Sequence, residues 1–202
     1  HPVRIKKNRL VKSLWWYLFD KRLFNKSNFV IAMSENEKSQ VKSYGIKSNI
    51  LVLPIGIDKK LVEPVTNIAS SSTFKYDKNY ILFLSRISEI KNLEYTFDYY
   101  ADFLIKNDML LVVAGGGDHV YVNKIIKYLD GHVARNHIKI IGVVSDSEKK
   151  SLLENAKFFT LLSKAEGLPQ SVLEAMHFGL PVIASDECNL SDAIKGKVVL
   201  CD

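Results

Sequence analysis

The sequence runs to 202 residues, 47% hydrophobic and 25% charged, globular proportions that exclude a disordered, collagen-like or coiled-coil chain. No apolar run approaches the roughly 18 residues that cross a bilayer, and His1-Pro2-Val3-Arg4 opens without a signal-peptide apolar stretch. Cys188 and Cys201 are too few for a disulfide framework and stand apart from any Cys/His cluster, so a cytoplasmic setting is expected. The net charge of +6 is unevenly held: residues 1–60 carry 13 Lys/Arg against 4 Asp/Glu, and the remainder is net negative. A basic N-terminal part predicts an anionic surface or ligand near it.

Residues 9–26 place Leu10, Leu14, Tyr17 and Leu18 at helical spacing among Lys and Arg, which predicts a basic amphipathic helix. Within it Trp15 and Trp16 admit two readings, an interfacial membrane anchor and, more commonly for such a stripe, a packed core. A short strand follows at Phe29–Met33. Ser34 with Glu37 three residues on is a capping-box signal for a helix that Gly45 stops. Ile50–Leu53 reads as a second strand, and Pro54-Ile55-Gly56-Ile57-Asp58 ends it. Residues 59–79, with Ser70-Ser71-Ser72-Thr73, are polar enough to read as a linker.

Beyond it, strands are expected at Tyr80–Leu84, Met109–Ala114, Ile138–Ile141, Phe158–Leu162 and Pro181–Ala184. Helices are expected between them, near Asn92–Lys106, Val120–Asp130, Ser147–Asn155 and Ser171–Phe178. Short apolar strands alternating with helices specify an α/β fold, a Rossmann-like parallel sheet with helices on both faces. A further strand closes at Val198–Asp202. The expected organisation is therefore 1–58 as one unit with its hinge, 59–79 as the linker, and 80–202 as a second domain cut at its C-terminal end.

In an open parallel sheet, ligands bind outside the carboxyl ends of the strands. The loop after Leu84 carries Arg86 and Lys91, a guanidinium and an ammonium suited to a diphosphate. The loop after Ala114 carries Gly115-Gly116-Gly117, which permits close backbone approach but lacks the spacing of a dinucleotide fingerprint. The loop after Leu162 carries Glu166 at the strand end and Glu174 inside the next helix, two acceptors suited to sugar hydroxyls. Gly167 lets this loop approach a ligand, and the helix start favours phosphate. Read singly, each of these is also an ordinary surface loop. His119, His132, His137 and His177 read as structural or exposed.

Taken in order, these motifs resemble glycosyltransferase family 4, the retaining enzymes of GT-B fold. Glu166 to Glu174 is similar to the family's E-x7-E element, continued by Ala175-Met176-His177-Phe178-Gly179-Leu180-Pro181-Val182-Ile183-Ala184. Arg86 and Lys91 match its Arg-x4-Lys pair, and Gly115-Gly116-Gly117 and Gly142-Val143-Val144-Ser145 match its glycine turn and base-contacting loop. Ser34 and Pro54–Asp58 resemble the last helix-strand unit of the acceptor domain and the hinge, although the family more often has asparagine where Ile55 stands.

The resemblance implies that 80–202 is the GT-B C-terminal, donor-binding domain and that 1–58 is the last part of the N-terminal acceptor domain. It implies that Glu174 holds the ribose hydroxyls and Glu166 hydroxyls of the transferred sugar. Arg86 and Lys91 would offset charge on the departing diphosphate without a metal. Gly167, Leu168 and Pro169 would line the sugar pocket, Ser171 would donate to a phosphate oxygen, and Val143 and Val144 would meet the base. His1, in the register of a family histidine facing the reaction centre, is a catalytic candidate, against the alternative of an ordinary terminal residue.

The expected reaction moves a sugar from a UDP- or GDP-sugar, with no cofactor, to a saccharide or lipid-linked acceptor, in bacterial surface polysaccharide synthesis. Peripheral contact with the cytoplasmic face of an anionic membrane through 1–26 is open, and nucleic acid is not an expected partner. Alternatives are a non-catalytic nucleotide-binding module and a GT-B sugar-nucleotide epimerase. With the early acceptor strands absent, the 202 residues alone are expected to bind nucleotide but to turn over poorly.

Overall fold

Every described strand runs parallel to its neighbours. The computed structural model describes residues 9–54, 56–58, 76–188, 190 and 192–201. His1 and most of the expected linker lie outside these residues.

A helical run over 9–26 (α1) comes first and includes a π-helical turn at Trp16–Asp20. Its packed residue is Trp16, set between Phe24 and Tyr44 at ring-centroid distances of 5.7 and 5.5 Å. Trp16 rests on a small core of Val30, Ala32, Ile46 and Ile50. Leu14, Tyr17 and Leu18 are exposed, and Trp15 is 58% exposed, so the two tryptophans part ways.

Strand β1 (Phe29–Ala32) pairs with β2 (Asn49–Val52) through α2 (Glu35–Ser43). Ser34 Oγ accepts from Glu37 N at 3.1 Å, and the Glu37 carboxylate accepts from Met33 N, which starts α2 where the capping signal predicts. Gly45, at φ 77°, follows the helix end.

The larger sheet has six strands: β3 (Tyr80–Leu84), β4 (Leu110–Ala114), β5 (Ile138–Gly142), β6 (Phe158–Leu161), β7 (Val182–Ser185) and β8 (Val199–Cys201). The connecting helices are α3 (Leu93–Lys106), α4 (His119–Asp130), α5 (Asp146–Asn155), α6 (Gln170–His177) and α7 (Asp192–Lys195). Helix α7 adds to the elements read from the sequence, and the boundaries of the others sit within a residue or two of the expected ones.

Strand order is β5-β4-β3-β6-β7-β8. The chain winds outward from β3 on one side, then returns to β6 on the other. That reversal opens a crevice beyond the carboxyl ends of β3 and β6, the switch point where open α/β sheets take ligands.

All residues of β3 and β4 are buried, so both faces of the sheet are covered at its centre. Helix α3 supplies Leu93, Phe97, Tyr100, Ala101 and Leu104 to this core at helical spacing. Tyr76, within the expected linker, packs edge-on against Tyr80 with centroids 5.3 Å apart and joins the core margin.

Candidate functional site

The loops after β3 and β4 are bound to each other before they meet any ligand. Ser85 N donates to Ala114 O and Ile87 N to Gly116 O, at 3.1 and 2.7 Å. Gly115 sits at φ 142°, and a Cβ there would lie 1.9 Å from Ser85 O; one on Gly117 would lie 2.1 Å from Ile87 O. These glycines are thus required by backbone packing against backbone, and Gly115 also lines the cleft.

Lys91 ends a 3₁₀ turn, Glu89–Lys91, and the chain enters α3 through Asn92 in the left-handed region at φ 57°. Lys164 N donates to Ile90 O at 2.7 Å, which draws this turn against the loop after β6. Glu166 N is anchored on Glu187 O at 3.0 Å. The result is a direct ion pair between Lys91 Nζ and Glu166 Oε1, with side chains only 14% and 13% exposed.

Helix α6 begins after Pro169 with no side-chain cap, and its first residues, Gln170 and Ser171, line the crevice. Ser171 and Glu174, three apart, share one face of α6, and both line the cleft. Glu174 is buried, its side chain 5% exposed, and Lys149 from α5 reaches Glu174 Oε1 at 3.0 Å. An ionised carboxylate so enclosed needs a compensating partner, and Lys149 is that partner.

The cleft measures about 460 Å³ and is bounded by Leu84, Ser85, Lys91, Gly115, Val143, Val144, Asp146, Lys149, Glu166, Leu168, Pro169, Gln170, Ser171 and Glu174, among others. It therefore gathers most of the residues singled out from the sequence. Arg86 is exposed and is not part of this lining, although its loop borders it. Gly116 and Gly167 also stand outside the lining. Gly116 instead makes room for Val143, whose Cγ2 would be 2.6 Å from an added Cβ. Val143 itself is 80% exposed at the cleft edge. Among the described residues no three His, Cys, Asp or Glu side chains converge as a metal site would require. His1 falls outside the described residues.

Residues 64–202 match the family model described as glycosyl transferases group 1. The chain belongs to this family. An alpha-monoglucosyldiacylglycerol synthase of Streptococcus pneumoniae is 29% identical over 177 residues, covering 84% of this chain and 40% of that protein. An uncharacterized glycosyltransferase of Haemophilus influenzae is 26% identical over 184 residues, 88% of this chain and 46% of its own length. Solved structures of Anabaena HepE superpose over 100% of this chain and 55% of theirs, at TM-scores of 0.74 with UDP-glucose and 0.76 with UDP and glucose. Their sequence identities are 18% and 19%. The fold of this chain is accordingly the GT-B type, and the chain spans about half the length of the relatives it matches or less. No described helix is long and apolar enough to cross a membrane.

Sequence reasoning missed Asp146, Lys149 and Gln170 in the cleft. Ser145 offered a signal: its capping box with Glu148 fixes the start of α5, and Asp146 and Lys149 then share a helix face three residues apart. Which way that face turns is decided by how α5 packs on the sheet, where Leu152 and Leu153 are buried and Leu152 O accepts from Tyr80 Oη, and spacing carries no trace of it.

Proposed function

We propose that this chain carries the donor-binding half of a retaining glycosyltransferase that moves a sugar from a UDP- or GDP-sugar to a saccharide or lipid-linked acceptor. The observation that supports it most is the meeting of Lys91, Glu166, Ser171 and Glu174 in one cleft at the switch point. Glu174 takes the ribose hydroxyls and Glu166 the hydroxyls of the transferred sugar. Val143 and Val144 flank the base. Ser171 and the start of α6 receive a phosphate.

As the glycosidic bond breaks, negative charge grows on the leaving diphosphate. Lys91, already fixed in the cleft, and Arg86, brought in from the bordering loop, offset that charge, so the step needs no metal. Transfer with retention follows from the family resemblance, as does a place in bacterial surface polysaccharide synthesis. His1 acts at the reaction centre from the acceptor side. Residues 1–58 belong to the acceptor domain, 59–79 link it to the donor domain of 80–202, and the acceptor is bound mainly by polypeptide outside these residues.

A lipid-linked acceptor fits the relative named for diacylglycerol glucosylation. It also fits α1, where Trp15, Phe19 and Leu23 are exposed near Lys21 and Arg22. Such a helix lies peripherally on an anionic bilayer at the cytoplasmic face.

The test is a screen of UDP- and GDP-sugars with the full-length enzyme, repeated with Glu174→Ala and Arg86→Ala. Each substitution is expected to lower kcat/KM for the donor by about 10²-fold or more. Unchanged donor use in both variants would remove the site assignment.

A further inference from the structure

We infer that Lys149 is a positioning residue that sets this enzyme's preference for a ribose carrying its hydroxyls, by holding Glu174 in one orientation. The inference rests on the reading of Glu174 as the ribose acceptor.

Three observations carry it. Glu174 is almost fully enclosed, and the ammonium of Lys149 occupies its Oε1 at 3.0 Å. Among the described residues nothing else hydrogen-bonds this carboxylate. Lys149 approaches from a different helix, α5, and itself lines the same cleft.

A glutamate side chain has three rotatable bonds, and the enclosure alone does not decide which oxygen faces the ligand. With Oε1 fixed on Lys149, Oε2 is the acceptor left for a diol, aimed along one direction. The charge of Lys149 also keeps the enclosed carboxylate compensated before the ligand arrives, so no rearrangement is needed on binding. A lysine suits this role because its ammonium has three donors, and one is committed to Glu174.

The experiment measures, by titration calorimetry on the full-length enzyme, the affinities of UDP and GDP and of their 2′,3′-dideoxy forms. Wild type is expected to favour the ribo form of its base by about tenfold or more, the scale of hydrogen bonds to a charged acceptor. Lys149→Met is expected to reduce that preference to about threefold or less, with affinity for the dideoxy form changed by less than about twofold. Lys149→Arg, which keeps the charge and can donate to Oε1, is expected to retain most of the preference and guards against a folding defect in the methionine variant.

Equal weakening of ribo and dideoxy forms in Lys149→Met would overturn the inference, because it would place Lys149 on the phosphates or in the fold. So would a ribo preference left intact, or tighter ribo binding, which would make the lysine a competitor for Glu174. Wild type that does not distinguish ribo from dideoxy forms would sink the ribose reading of Glu174 itself, and the inference with it.

Discussion

Lys91 and Glu166, 75 positions apart in sequence, form an ion pair at the switch point of the sheet, each side chain largely enclosed. The pair joins the two loops on which donor chemistry is proposed to depend. Removing one partner takes a compensating charge away from the other in a partly desolvated site. Lys91→Met and Glu166→Gln are each expected to cost about 2 kcal/mol of stability, and the double variant less than the sum. A double-mutant cycle by urea denaturation checks this; strict additivity would mean that the two side chains do not interact.

Gly115 makes a sharper demand. Its φ is 142°, and a Cβ added there would stand 1.9 Å from Ser85 O, which leaves no space for alanine. Gly115→Ala is expected to lose about 2 kcal/mol or more, since the loop after β3 must move away from β4. Because that loop carries Lys91, donor binding should weaken together with stability. Gly131→Ala, where an added Cβ meets nothing within 4 Å, is the control and should stay within about 0.5 kcal/mol.

The sheet was legible in the sequence because its strands are short, apolar and spaced by helices. Tyr80–Leu84 is buried at each position, and such a run reads as a central strand without any knowledge of its neighbours. Ser34 marked a helix start through local hydrogen bonds that a few adjacent residues determine, whereas the same signal at Ser145 went unused, the helix being expected from Ser147. The pairing of Lys149 with Glu174 was not legible, because it depends on how α5 and α6 are each set on the sheet. In α1 periodicity pointed to Leu14, Tyr17 and Leu18, while packing selected Trp16. A helical stripe identifies a face, but only the surface beside it decides whether that face is buried.

Glu94 ties α3 to α4, accepting from Tyr121 Oη at 2.8 Å and from Lys124 Nζ at 3.0 Å. Burial opposes its charge, but hydrogen bonds from its own backbone N–H, Tyr121 and Lys124 prevail and hold the carboxyl below the ordinary glutamate range. A depressed carboxylate contributes stability that is complete above its unfolded pKa and is lost as pH falls through the folded value. Glu94→Gln should therefore cost about 1 kcal/mol at pH 7. The difference from wild type should shrink progressively below about pH 4. Urea titrations at pH 7 and pH 3.5 compare the two; a pH-independent difference would count against the ionised bridge.

Cys188 predicts the opposite slope. Its thiol is fully buried and donates to Leu161 O at 3.2 Å, and burial pushes its pKa up to about 11, with nearby Glu166 adding to the rise against a lowering contact from Ser185. At neutral pH it stays a thiol and is a poor nucleophile, whereas Cys201 is only partly covered and contacts Tyr99 Oη at 3.2 Å. Iodoacetamide at pH 8 should modify Cys201 in the native protein and reach Cys188 only after unfolding. For stability, the unfolded thiol ionises first, so the contribution of Cys188 is complete below the unfolded value near 9 and is lost as pH rises toward 11. Between pH 8 and pH 10.5 this residue should cost the native state about 2 kcal/mol, and Cys188→Ala should flatten that part of the profile. Parallel alkaline slopes in wild type and Cys188→Ala, read by urea denaturation, would assign the loss to other groups.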